Sequence, residues 1–408
     1  MTPRTRAPRR RVEAGAAAAL VLRDGREKSL VRRHPWVFSG AVERVAGDPA
    51  PGETVAVRAA DGRFLAWAGY SPQSQIRARV WSFDEADSID AAFLRARIGA
   101  AITRRSGIEA STDAVRLIHG EADGLPGVVC DRYGDVAVLQ ISSVGAERWR
   151  DAIADAVIAA TGCSGLFERS DLEVRNIEGL QARAGALRGR PAETVTIAEH
   201  GIQYRVDIAH GQKTGFYLDQ RANRDRIRAL AAGRDVLNAF CYTGGFSLNA
   251  LAGGARSVLS VDTSGAALEL ARANLALNGF DAAHAEWHEA DVFQSLRALR
   301  NAGRAFDLVV LDPPKFAPTS AHVARAARAY KDINLLALKL LRPGGLLATF
   351  SCSGGVSQDL FQKILAGAAT DAAVDAVVRE RFHADADHPV TLSFPEGEYL
   401  KGLLLEKR

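Results

Sequence analysis

Cysteine is scarce. The 408 residues carry four, Cys130, Cys163, Cys241 and Cys352, and no two form a CxxC pair. Four are too few for a secreted disulfide scaffold, and the missing spacing argues against a zinc ribbon. Reduced thiols in a cytoplasmic protein are the default reading. Long apolar runs are lacking too. The run 16–22 is far shorter than the ~20 residues a spanning helix needs, so no membrane partner is expected. Two phosphate-binding signatures are missing, GxGxxG and GxxxxGK[ST]. The first absence argues against a dinucleotide held by its pyrophosphate, the second against an ATP or GTP P-loop. Charge of one sign does not dominate: 52 Lys+Arg face 48 Asp+Glu, a net of +4. That balance permits a nucleic-acid partner without requiring one. With 47% apolar and 25% charged residues, collagen-like and disordered classes are excluded. The length suggests about two to three domains.

The basic charge is uneven. Arg4, Arg6, Arg9, Arg10 and Arg11 precede an Ala-rich run. The pattern mimics a signal or transit peptide, but Arg23, Asp24 and Arg26 follow without a cleavage pattern. Residues 1–17 read as a solvated basic arm, whose leading functional use is phosphate-backbone contact. Residues 18–85 read as short strands broken by Gly and Pro, a small β-barrel. There the run 76–81 alternates apolar with cationic side chains and predicts one wet face. Residues 86–195 read as an α+β unit, with a helix over 90–106, strands at 115–118, 127–130 and 136–141, a helix over 149–160 and a strand at 165–168. In residues 196–408 the runs 236–238, 257–261, 306–311 and 345–350 alternate with helical stretches. This is the pattern of a doubly wound α/β domain on a parallel sheet, which binds ligands beyond the carboxyl ends of its strands.

The first of these strands ends in Asn238-Ala-Phe-Cys-Tyr-Thr-Gly-Gly-Phe246. Gly244 and Gly245 permit unusual dihedrals and close approach of a ligand to the backbone. The second strand ends in Asp262, placed to accept from both hydroxyls of a ribose. A ribose-binding acid without a phosphate cradle fits S-adenosylmethionine. Asp291 follows the third strand, where its carboxylate would lie near the adenine amino group. Asp312 ends the fourth, in the stiff loop Asp312-Pro-Pro-Lys-Phe316. The next strand ends in Phe350-Ser-Cys-Ser-Gly354, which puts Cys352 on the same rim. A thiolate there suits attack on carbon 6 of a pyrimidine, which makes carbon 5 nucleophilic, and it calls for a thiol more acidic than the free pKa of about 8.5. Cys241 lies inside the donor turn and reads as packing.

These motifs resemble those of a known family. Gly211-Gln-Lys-Thr-Gly-Phe-Tyr-Leu-Asp-Gln-Arg221, the 238–246 turn, Asp312-Pro-Pro-Lys-Phe316, Ser351-Cys-Ser353, Asp387-His-Pro389 and Phe394-Pro-Glu396 resemble the rRNA large-subunit methyltransferases that make 5-methylcytosine. Arg32-Arg-His-Pro-Trp-Val-Phe-Ser-Gly40 resembles the start of their PUA RNA-binding domain. The resemblance implies a Rossmann-like class I methyltransferase domain preceded by a PUA barrel and an α+β linking domain. It implies Cys352 and Asp312 as catalytic residues, and Asn238, Phe240, Tyr242, Gly244, Gly245, Asp262, Asp291, Asp312 and Gln220 as the S-adenosylmethionine site, with no metal. The implied partner is 23S rRNA, and a homodimer is compatible with it. One departure matters: many 5-methylcytosine enzymes carry Pro-Cys where this chain has Pro313-Pro314, an arrangement closer to uridine-5 methyltransferases. One thiol must then attack, and no base for the carbon 5 proton stands out. Methylation of a guanine nitrogen, which needs no thiol, stays open at this level, as does a non-catalytic RNA-binding factor; a nicotinamide oxidoreductase is disfavoured by the missing GxGxxG. Trp36, Phe38 and Trp67 either fill the barrel or stack on bases.

Overall fold

Turn residues set the first sheet. In the computed structural model, which describes residues 18–316 and 323–408, the basic arm lies outside the described residues. β1 (Ala19–Leu22), β2 (Trp36–Phe38), β3 (Val42–Ala46), β4 (Thr54–Arg58), β5 (Phe64–Tyr70) and β6 (Ile76–Ser82) pair in the order β2-β6-β5-β4-β1-β3. Leu20, Leu22, Val55, Val57 and Ala66 fill its core. β6 departs from the expected wet face. Arg79 is 8% exposed, because its guanidinium lies 2.6 Å from Glu178 and 3.9 Å from Glu121 of the next unit. A cation is tolerated there only because carboxylates neutralise it. The three aromatics divide. Trp36 is half-buried and donates to Glu121 at 2.8 Å, Trp67 donates to the Glu85 carbonyl at 3.3 Å, and Phe38 stays exposed.

The middle unit contains β7 (Ala114–His119), β8 (Val128–Tyr133), β9 (Val136–Ile141), β10 (Gly165–Ser170) and β11 (Arg183–Arg188), in the order β11-β10-β9-β8-β7. The helix Arg150–Thr161 makes the parallel crossover from β9 to β10. With the helix Ala91–Thr103 it covers the sheet, through Leu94, Ile98, Ile153 and Val157. Asp90 starts the earlier helix by accepting from the Ala92 and Phe93 amides at 2.9 Å. A hairpin follows, β12 (Thr194–Glu199) and β13 (Ile202–Asp207).

The last sheet holds β14 (Asp235–Ala239), β15 (Ser257–Asp262), β16 (Ala285–Glu289), β17 (Phe306–Leu311), β18 (Leu341–Ser351), β19 (Ala376–Phe382) and β20 (Lys401–Lys407). Their order is β16-β15-β14-β17-β18-β20-β19. The first five are parallel, and β20 runs antiparallel between β18 and β19, so the sheet is mixed at that side. The direction of winding reverses between β14 and β17, which opens a crevice at their carboxyl ends. Among the described residues no helix is long and apolar enough to cross a membrane.

Buried charge joins this sheet to the middle unit. Asp387 accepts from the Arg116 amide at 3.0 Å, Arg221 at 2.8 Å and His388 at 2.7 Å. Arg105, itself paired to Asp123 at 2.8 Å, donates to the Asp387 carbonyl at 3.1 Å. Burial opposes the Asp387 charge, but the His388 and Arg221 contacts prevail and hold its carboxyl below the usual range. Asp387→Ala leaves Arg221 underpaired in the interior and should cost about 3–5 kcal/mol in urea denaturation at neutral pH. Because the folded carboxyl is the more acidic, the deficit should shrink as pH falls below about 4. An unchanged urea midpoint would contradict this role.

Candidate active site

The chain turns sharply after β14. Phe240 (φ 63°), Tyr242 (φ 48°) and Gly244 (φ 83°) are all left-handed. Two aromatic residues in that region store strain, which persists only where the surroundings over-determine it. Here they do: the Phe240 and Cys241 amides both donate to the Val261 carbonyl, at 2.9 and 3.1 Å. The Tyr242 amide then meets one oxygen of Asp262 at 2.8 Å, and the Ser264 amide meets the other at 3.0 Å. Asp262 is thus fixed by two backbone donors at the end of β15, and each oxygen keeps acceptor capacity.

Gly244 takes the left-handed conformation expected of it, and both glycines also sit in close packing. A Cβ on Gly244 would lie 3.0 Å from the Trp287 ring and 3.1 Å from Ala271, and one on Gly245 would lie 3.0 Å from Arg224. A side chain at either position would press on these neighbours. Asn238 is fully buried, and its amide nitrogen donates to Ser247 at 2.8 Å, tying the strand to the helix Gly245–Ala252. Its Oδ1 has no hydrogen-bond partner among the described residues. Asp291 is exposed and caps the helix Val292–Asn301, accepting from the Gln294 amide at 2.9 Å. Asp262 and Asp291 therefore stand beyond neighbouring parallel strands, and the turn 240–247 contains no Lys or Arg. This donor set fits a ribose and a sulfonium amino acid, and it does not fit a phosphate.

Across the crevice, Asp312 follows β17. Phe316 anchors its loop against Tyr330, Phe293 and Phe240, with ring centres at 4.9, 6.0 and 6.4 Å. Asp312 keeps some exposed surface, yet its carboxyl is enclosed by protein. Burial, helped by the nearby Asp219 charge, pushes it up to about 7, although Lys213 and a hydrogen bond from Gln220 act the other way. Gln220 is buried and also accepts from Asn223 at 2.6 Å.

Cys352 follows β18 and is half-buried. Its two serine neighbours are held by one group: Ser351 donates to the Tyr330 hydroxyl at 2.9 Å, and that hydroxyl is 3.0 Å from Ser353. Lys401 donates to the Ser353 and Val356 carbonyls at 2.9 and 2.7 Å. The thiol is thus presented by a gripped loop. It is not acidified as expected: burial, then the Asp312 charge, raise it above the ordinary cysteine value against the pull of Lys213. Cys241 is 5% exposed and its thiol is raised by burial, as suits packing.

Sequence reasoning missed a group beside both reactive side chains. Asp219, 2% exposed, lies 2.6 Å from the Lys213 ammonium and 2.6 Å from the Tyr399 hydroxyl. Lys213 also sits over the Tyr217 ring at 4.4 Å. Burial would raise the Asp219 carboxyl, but Lys213 holds it well below the usual range. Lys213, Tyr217 and Asp219 stand inside the 211–221 motif, so a signal existed. Tyr399 and Lys401 carry none, because they join the site only through folding.

Comparison with known proteins agrees with this geometry. A family model described as S-adenosylmethionine-dependent methyltransferase matches residues 176–391, and a PUA-like domain model matches residues 20–83. A protein of Erwinia tasmaniensis named ribosomal RNA large subunit methyltransferase I is 51% identical over 386 residues, covering 94% of this chain and 98% of that one. One of the same name from Shewanella denitrificans is 49% identical over 393 residues, covering 95% and 99%. Among solved structures, a SAM-dependent methyltransferase from Streptococcus mutans has a TM-score of 0.83 and 25% identity, covering 95% of this chain and 99% of its own. Another, equal in all four values, is a methyltransferase complexed with SAH. The chain belongs to the S-adenosylmethionine-dependent rRNA large subunit methyltransferase family, with a PUA-like domain at its N-terminal side.

Proposed function

We propose that the protein methylates carbon 5 of a cytosine in 23S rRNA, in the cytoplasm, through a covalent adduct to Cys352. The observation that carries this reading is the thiol itself. It is held by Tyr330 and Lys401 at the strand rim, beside a carboxyl that titrates near neutrality. Methylation of a ring nitrogen would have no use for it.

Each residue then has a task. S-adenosylmethionine supplies an electrophilic methyl group when bound. Asp262 holds the donor's ribose, and Asp291 lies toward its adenine. Asp312 accepts the Cys352 proton. The transfer removes the Asp312 charge that opposes thiol ionisation, so one negative charge passes between the two groups. Sγ bonds to carbon 6, and the electron pair displaced from the 5,6 double bond takes the methyl group at carbon 5. Loss of the carbon 5 proton to water then restores the double bond and expels the thiolate, which takes its proton back from Asp312. A carboxyl near pH 7 is well matched to proton transfer of this kind.

Two outcomes are expected. Asp262→Ala should weaken donor binding by about 1.5–3 kcal/mol, roughly 10- to 150-fold, by calorimetry. Unchanged affinity would remove Asp262 from the donor site. Cys352→Ala should abolish formation of 5-methylcytosine, read by mass spectrometry of digested rRNA, with donor affinity kept. The wild-type single-turnover rate should rise with pH through about 7, because Asp312 accepts a proton only when ionised. An active Cys352→Ala protein, or a rate flat from pH 6 to 8, would contradict the mechanism.

A further inference from the structure

The segment 385–401 touches all three units. The Asp385 amide donates to the Asp219 carbonyl at 3.0 Å, and the His388 ring lies 5.0 Å from that of His119 in the middle unit. Phe394 then packs on Trp36 and His34 of the first sheet, at 4.8 and 5.8 Å between ring centres, and Glu396 lies 3.3 Å from His34. Tyr399 returns to Asp219, and Lys401 grips the Cys352 loop. Between these anchors the Phe394 amide donates to the Thr391 carbonyl at 3.0 Å and closes a tight turn. Leu392 stands at its tip, 107% exposed, the largest value among the exposed large hydrophobic residues described. It shares one hollow of about 410 Å³ with Val390, His388 and Tyr399, the residue whose hydroxyl meets Asp219.

A single exposed leucine is ordinary on a surface. This one differs in its setting, since the turn is fixed on both sides between an RNA-binding type of domain and the reactive rim. A stacked base cannot offer carbon 6 to a thiol, so the target must leave its stack, and an aliphatic side chain is the kind of group that fills such a gap. We infer that Leu392 is a wedge that enters the RNA base stack where the target cytosine leaves it. This inference rests on the cytosine-methylation reading above.

The test uses the full-length protein and two RNAs. One is a 23S rRNA transcript. The other is a synthetic stem copied from it around the mapped target, with 2-aminopurine beside that target. Leu392→Ala removes no contact within the protein, so its melting temperature and donor affinity should match the wild type. Its methylation of the transcript at limiting RNA should fall roughly tenfold. Leu392→Met should restore most of the rate, whereas Leu392→Asp should not. On the stem, the fluorescence rise that reports unstacking should be large with wild type and small with Leu392→Ala. Wild-type rates and fluorescence in Leu392→Ala would overturn the wedge, and so would a slowed variant that unstacks the probe normally. Product identity in the wild type is read first. Absence of 5-methylcytosine there would count against the parent reading, while a silent Leu392→Ala change would count against the wedge alone.

Discussion

A carboxylate shut away from water sets the layout of the reactive rim. Asp219 can remain ionised at 2% exposure only because Lys213 and Tyr399 both reach it. Meeting that requirement brings together segments nearly two hundred residues apart in the chain. The turn at 211–221 supplies the acid and the ammonium, and the C-terminal segment supplies the hydroxyl. Burial raises both Asp312 and Cys352, and the Asp219 charge adds to that on each. Lys213 pulls the other way on both. The protonation of Asp312 and Cys352 is therefore set by burial together with fixed neighbouring charges.

The same physics holds the units in register. Arg79 of the first sheet pairs with Glu178 of the middle unit, and Arg105 and the Arg116 amide of the middle unit meet Asp387 of the C-terminal segment, all of them buried groups. Such pairs contribute little net stability against apolar replacements, but they penalise any arrangement that separates them. Sliding of the PUA-like domain against the middle unit would strand Arg79 and Glu178. The first sheet is thus held at a defined offset from the rim, with the 385–401 segment touching both.

Much of this was legible in the chain. Continuous apolar runs between helical stretches marked the central strands, and their carboxyl ends carried Asp262, Asp312 and Cys352. What was not legible depends on contacts between distant segments. Alternation in β6 assigned Arg79 to water, because Glu178 lies about a hundred residues away. Gly244 and Gly245 were legible as a turn needing unusual dihedrals, but their packing beside Trp287 and Arg224 was not. The thiol was expected to be acidic, since local sequence does not show that burial and the Asp312 charge outweigh Lys213. β20 was missed because an antiparallel strand inserted after the helix Gln358–Ala372 leaves no crossover pattern to read.

The central claim is that Cys352 forms a bond to the target base. It is tested most directly with 23S rRNA transcribed with 5-fluorocytosine in place of cytosine, incubated with S-adenosylmethionine and the wild-type protein. Fluorine at carbon 5 cannot leave as a proton does, so the adduct persists. A donor-dependent protein–RNA species that maps to the Cys352 peptide by mass spectrometry is the expected result, and it should be missing with Cys352→Ala. No adduct, or one mapping to Cys241, would contradict the thiol mechanism.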